Sequence, residues 1–239
     1  MSLRKKGGAV GSLKCAPVQG VIFDCDGTLM DTMGLWLQVE NDLAARVGHV
    51  FTQEEQDMLR TLTISETGEY LHGMLGILGS AQEVVQRINE LARGYYATKA
   101  EMKPGALEFV RALHAKGIPC AIASSSPHTL LDPGVEHTGL GKLLTAVVST
   151  DDVGRSKREP AVYDRARALL GSSLEATWVF EDAAYTFATT APAGYHTVGV
   201  YDCDESATFA QLESLADVAI HDYRELDVER FIAGGYAQQ

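Results

Sequence analysis

Periodic structure begins at residue 18. Residues 18–23 form a short, largely apolar run with β-branched members, the length and composition of a buried strand. From Leu35 the period changes. Leu35, Trp36, Val39, Leu43, Ala44 and Val47 recur at helical spacing, and Gly48 ends the series. Thr52-Gln53-Glu54-Glu55 has the form of a capping box, and Met58, Leu59 and Leu62 carry that helix on. Residues 65–78, 81–91 and the run to 100 read as further helices, broken at Gly73, Gly76 and Gly79. Residues 33–100 therefore predict an all-helical block. Trp36, Tyr70, Tyr95 and Tyr96 are assigned to its core.

After Lys103-Pro104-Gly105 the two periods alternate. Strands are predicted over 118–123, 145–149, 176–180, 196–201 and 218–220. Helices are predicted over 106–116, 160–170, 185–193, 208–215 and 222–231, and one after Ser126-Pro127 that Pro133-Gly134 interrupts. Such alternation implies right-handed βαβ units, hence an α/β fold: a Rossmann-like, doubly wound parallel sheet with an all-helical insertion after its first strand. The expected organisation is a flexible tail over 1–17, a core over 18–32 and 101–239, and the helical block over 33–100.

Charge narrows the partners. The 239 residues carry a net charge of −12, which argues against a nucleic-acid surface. An acidic chain that handles an anion must bring local positive charge, from a metal or a placed lysine. Cys15, Cys25, Cys120 and Cys203 are scattered, with no C-x-x-C pair, so free thiols in a reducing, cytoplasmic setting are expected. No apolar run reaches membrane-span length, so no membrane partner is expected. The basic, glycine-rich start lacks the apolar region of a signal peptide. A monomer acting on a small phosphorylated metabolite is the expectation.

The polar residues that matter follow the strands. Val21-Ile22-Phe23 runs straight into Asp24-Cys25-Asp26-Gly27-Thr28. Two acids one residue apart at a strand end can project together, and their repulsion is relieved by a divalent cation or by a proton on one of them. Ser124, Lys157 and the pair Glu181 and Asp182 likewise follow strands, and so share the crevice beyond the carboxyl edge of the sheet. Singly each has a bland reading: turn acids, a helix cap, a solvated lysine. Together they make a coherent phosphate-plus-metal site.

The order Asp24-x-Asp26-Gly27-Thr28, Ser124, Lys157, Glu181-Asp182 resembles the haloacid dehalogenase superfamily. The resemblance lies in the subgroup with a helical cap inserted after the first motif, near the β-phosphoglucomutase-like phosphatases. The segments Val179-Phe180-Glu181-Asp182-Ala183 and Val198-Gly199-Val200-Tyr201-Asp202 belong to it too. It implies Asp24 as nucleophile through an aspartyl-phosphate, and Asp26 as general acid and base. Ser124 and Lys157 would hold the phosphoryl group, and Asp24, Asp26, Glu181 and Asp182 would supply Mg²⁺ ligands. A carboxylate at Asp26 favours phosphoryl transfer, since dehalogenases of the superfamily lack one there. Two departures stand out. Arg158 follows Lys157 where the family usually has proline, and Ala183-Ala184-Tyr185-Thr186 occupies a loop that commonly carries glycine. The histidine and cap arginine of the mutases align with Trp36 and Ser65. A Mg-dependent phosphatase for a small phosphomonoester is therefore expected. A sugar-phosphate mutase and a low-turnover phosphate-binding module are the alternatives. Substrate choice is expected from the hinge (Met33, Leu35, Trp36) and the loop Arg60, Thr61, Thr63 and Ser65.

Overall fold

The structure, a computed structural model, describes residues 16–59, 62–203 and 207–236. Most of the 1–17 tail, Cys15, Arg60 and Thr61 lie outside the described residues. The chain opens with strand β1 (Gly20–Phe23) and the two-residue strand β2 (Met30–Asp31). Helices α1 (Met33–Ala44), α2 (Gln53–Leu59), α3 (Ile64–Leu75) and α4 (Ala81–Lys99) follow, then strand β3 (Glu101–Met102). The rest alternates: α5 (Ala106–Ala115), β4 (Cys120–Ser124), α6 (His128–His137), β5 (Ala146–Ser149), α7 (Thr150–Val153), α8 (Ala161–Leu170), β6 (Thr177–Glu181), α9 (Ala184–Ala193), β7 (His196–Val200), α10 (Phe209–Leu215), β8 (Val218–Ile220) and α11 (Val228–Ile232).

Six strands form one parallel sheet in the order β5-β4-β1-β6-β7-β8. β1 is central and wholly buried, as its apolar run demands. Alternate residues separate onto its two faces. Val21 and Phe23 join Cys120, Ile122, Trp178, Phe180, Phe109 and Phe231 in one layer of core. Ile22 joins Ala121, Ala123, Val179, Val162, Tyr163 and Ala166 in the other. Each fully buried Val, Ile or Phe contributes about 1.5–3 kcal/mol, so β1 anchors both layers. From β1 the chain winds outward to β4 and β5, then returns to β6 on the other side. The strand order thus reverses at β1, and ligands bind at the carboxyl edge of such a reversal.

All described residues between Asp31 and Glu101 are helical or connecting; none forms a strand. The insertion has its own apolar core of Val39, Leu43, Leu59, Leu71, Val84, Ile88, Ala92 and Tyr96. Leu130 of α6 also enters that core, so insertion and sheet layer share an interface. At the crossing point β2 and β3 pair antiparallel, Met30 with Met102 and Asp31 with Glu101. Lys103 N–H donates to the Leu29 carbonyl at 2.9 Å.

Four expectations need correction. The helix after Pro127 is not interrupted: α6 runs through Pro133 and Gly134. Gly134 lies against Tyr96 and Met30, where an added Cβ would come within 3.1 Å of the Tyr96 ring, so packing on α4 overrides the local breakers. Gly73 likewise sits inside α3, and the stop is Gly76 in the left-handed region. The last predicted helix is two pieces. A short 3₁₀ turn (Tyr223–Glu225) is capped by Asp222, and α11 is capped by Asp227, with Leu226 extended between them. The first strand starts at Gly20 rather than Val18, although Val18 is buried and its N–H bonds the Ile232 carbonyl at 2.9 Å. The capping box at Thr52 and Glu55 forms as expected.

Candidate active site

Register builds the site. Phe23 lies opposite both Phe180 and Ile122, so Asp24 leaves β1 beside Glu181 of β6 and the end of β4 that carries Ser124. Asp24 N–H still bonds the Phe180 carbonyl at 2.9 Å, which holds its backbone in line with the sheet. The chain then folds back sharply: the Leu29 and Met30 amides both bond the Cys25 carbonyl, at 3.0 and 2.8 Å. Gly27 has φ +77° in this turn, and a Cβ there would collide with the Asp182 carboxylate. Glycine is required on both counts.

Asp24, Lys157, Glu181 and Asp182 are all buried. The Lys157 ammonium donates to Asp24 Oδ1 and, at 2.8 Å, to Glu181 Oε1. The same Glu181 oxygen accepts from the Tyr163 hydroxyl at 2.7 Å. Asp182 Oδ1 accepts from the Thr28 hydroxyl at 2.8 Å. Burial works to lower the Lys157 pKa, but the carboxylates of Asp24 and Glu181 outweigh it and raise it above the usual lysine value. Burial raises Asp24, against the pull of Lys157 and with the push of Asp26. Burial likewise pushes Glu181 up to about 7, opposed by Lys157 and assisted by Asp24. Burial and the Glu181 charge hold the Tyr163 phenol protonated, which keeps it a donor.

Three carboxylates against one ammonium leave the pocket short of positive charge. Ligand oxygens of Asp24, Glu181 and Asp182 lie within 4.8 Å of one another. Glu181 Oε2 is buried with no hydrogen-bond partner among the described residues. An orphaned buried carboxylate oxygen is costly, and a hard divalent cation supplies what this donor set lacks. The residues present therefore fit such an ion.

Asp26 faces a different set of groups. Its Oδ1 accepts from the Thr32 hydroxyl at 2.6 Å and from the Tyr96 hydroxyl, and its Oδ2 from the Ser126 hydroxyl at 2.6 Å. Tyr96 belongs to α4, so the insertion reaches the acid at its base. Ser124 Oγ accepts the Ser126 amide at 3.0 Å and has no acceptor for its own hydrogen among the described residues. The structure thus brings together Asp24, Lys157, Glu181 and Asp182, and joins Ser124, at the end of β4, to Asp26, in the turn after β1, through Ser126. Sequence reasoning placed Tyr96 in the core. It is buried there, but its hydroxyl serves Asp26. Thr32, Ser126 and Tyr163 also escaped notice. Ser126 sits two residues from Ser124, the only one of these with a local signal. A buried ion pair, Lys103 with Asp202 at 2.7 Å, backs the Gly27 turn.

Residues 21–200 match the haloacid dehalogenase-like hydrolase family, three quarters of the chain, and the protein belongs to that family. It is therefore an enzyme of hydrolase class. Among curated relatives, a phosphorylated carbohydrates phosphatase of Thermotoga maritima is 26% identical over 166 residues, covering 70% of this chain and 77% of its own. A β-phosphoglucomutase-like protein, also from Thermotoga maritima, superposes with a TM-score of 0.76 at 25% identity, over 85% of this chain and 94% of that one. A haloacid dehalogenase family hydrolase of Deinococcus radiodurans, solved with phosphate and sodium bound, gives 0.73 at 27% identity, over 93% and 99%.

Proposed function

We propose that this enzyme is a magnesium-dependent phosphatase that hydrolyses a small phosphomonoester through an aspartyl-phosphate on Asp24. The observation that carries the reading is the buried cluster itself: Asp24 bridged by Lys157 to Glu181, with Asp182 close enough to share an ion. Asp24, Glu181 and Asp182 would hold Mg²⁺, which supplies charge neutralisation for a phosphoryl group. Asp24 attacks phosphorus, the phosphorus–oxygen bond to the leaving group breaks, and Asp26 gives that oxygen a proton. Asp26 then takes a proton from the water that cleaves the acyl phosphate. Lys157 offsets charge on Asp24 and the transferring group, and Ser124 donates its free hydrogen to a phosphoryl oxygen.

Thr32 and Tyr96 hold Asp26 until it turns to the leaving group, so proton transfer is tied to the position of residues 33–100. We take that insertion to be a cap that closes over the site and excludes water. Hydrolysis is favoured over isomerisation. Trp36 stands where a mutase has its hinge histidine, and its ring packs edge-on against Tyr96 at 6.3 Å, so it serves the insertion core. Among the described residues no helix is long and apolar enough to cross a membrane. Free Cys25, Cys120 and Cys203 support a cytoplasmic setting.

The test is phosphate release from a panel of sugar phosphates, nucleotides and phosphoglycolate with Mg²⁺. Release from several small esters, with little interconversion of β-glucose 1-phosphate and glucose 6-phosphate even with a bisphosphate primer, is the expected result. Efficient priming-dependent interconversion with negligible release would establish the mutase instead.

A further inference from the structure

Arg158 and Tyr185 both lie in the segments where this chain departs from its family's usual pattern, and the fold brings them together. The Arg158 guanidinium carbon sits 5.0 Å from the centroid of the Tyr185 ring. Arg158 directly follows Lys157, and Tyr185 lies three residues after Asp182. Tyr185 is 41% exposed. The Ser125 side chain, between Ser124 and Ser126, and the charges of Lys157, Glu181 and Asp24 all act on its hydroxyl. The loops after β4, before α8 and after β6 therefore meet at one rim beside the phosphoryl site.

Arg158 makes no ion pair with a carboxylate among the described residues. A guanidinium laid on an aromatic ring keeps its N–H edge free for a second group. Its fork matches a carboxylate or a phosphate.

Resting on the phosphomonoester reading above, we propose that Arg158 selects substrates whose leaving group carries a second anion, a carboxylate or another phosphate, and that Tyr185 is the positioning residue that holds the guanidinium at the rim. The second anion pairs with Arg158 while Lys157 and Ser124 hold the phosphoryl group. Specificity then comes partly from the sheet side of the site and not from the insertion alone.

Steady-state kinetics on three esters test this: phosphoglycolate, propane-1,3-diol bisphosphate and p-nitrophenyl phosphate. Arg158→Ala is expected to raise KM about tenfold or more for whichever of the first two the enzyme prefers. For p-nitrophenyl phosphate, which offers no second anion, the loss is at most about threefold. The ester more affected identifies the anion. Arg158→Lys restores only part of the preference, because the fork is lost. Tyr185→Phe retains most of it, and Tyr185→Leu does not. An equal change on all three esters, or none, overturns the proposal. Calorimetric binding of phosphoglycolate and propyl phosphate to Asp24→Asn reads the same preference without turnover. If the wild type releases no phosphate, yet Arg158→Ala in that background weakens phosphoglycolate about tenfold more than propyl phosphate, hydrolysis falls and the anion preference stands. Turnover with no Arg158-dependent preference overturns the preference alone.

Discussion

Lys157 carries a charge into a buried pocket, and it is stable there because Asp24 and Glu181 share it. Removing one partner of such a buried group typically costs about 3–5 kcal/mol. Lys157→Met should therefore lower the denaturation midpoint markedly and cut phosphate release at least about a hundredfold, whereas an exposed lysine such as Lys116 would do neither when changed. The two aspartates should separate by leaving group. Asp24→Asn is expected to abolish the phospho-enzyme on every ester. Asp26→Asn should cost about a hundredfold or more on alkyl phosphates and much less on p-nitrophenyl phosphate, whose leaving group needs little protonation. Identical losses on both substrates would deny Asp26 its role. His128 offers a test by pH. Its Nε2 lies 2.9 Å from Asp152 and its Nδ1 3.3 Å from Asp132. The bond to Asp152, aided by Asp132 and opposed by partial burial, raises its pKa above 6.5. The folded state thus binds the proton more tightly, so the stabilisation is full below about pH 6.5 and is lost as pH rises through the raised folded value. The stability difference between wild type and His128→Gln should shrink across that window. A difference that grows with pH would contradict the ion pair.

At the scale of elements, the insertion is held by close helix contact. Gly68 of α3 faces α4: an added Cβ would collide with the Val85 side chain and lie 3.0 Å from the Ala81 carbonyl. Alanine gains about 1 kcal/mol over glycine in a helix, but overpacking costs about 1–3 kcal/mol. Gly68→Ala should therefore destabilise in urea titration, and adding Val85→Ala should recover much of the loss. A stabilised Gly68→Ala would mean the two helices separate freely. The same contacts explain α6, where burial of Gly134 against Tyr96 outweighs the proline before it. Local propensity predicted a break there because a single sequence does not reveal what lies across the interface.

For the molecule as a whole, a divalent cation held by Asp24, Glu181 and Asp182, as proposed, would link metal binding to stability. Mg²⁺ at a hundred times its dissociation constant should add about 2.7 kcal/mol, a rise of several degrees in melting temperature, and chelator should remove both that rise and the phosphate release. Asp182→Asn should abolish most of the shift. Activity undiminished in excess chelator would reject the ion.

The sequence alone determined the sheet, the helical insertion and which polar residues stand at the carboxyl ends of the strands. Strand and helix periods are local, and so are acids placed directly after apolar runs. The placement of Asp24, Asp26, Ser124, Lys157, Glu181 and Asp182 at one sheet edge was legible for that reason. What only the tertiary structure decided is who touches whom. Tyr163 reaches Glu181 and Tyr96 reaches Asp26 across 18 and 70 residues. Arg158 meets Tyr185 because β6 lies beside β1 while the Lys157 loop crosses the same edge. A buried hydroxyl reads as an ordinary core residue until the strand register brings a carboxylate within hydrogen-bond distance of it.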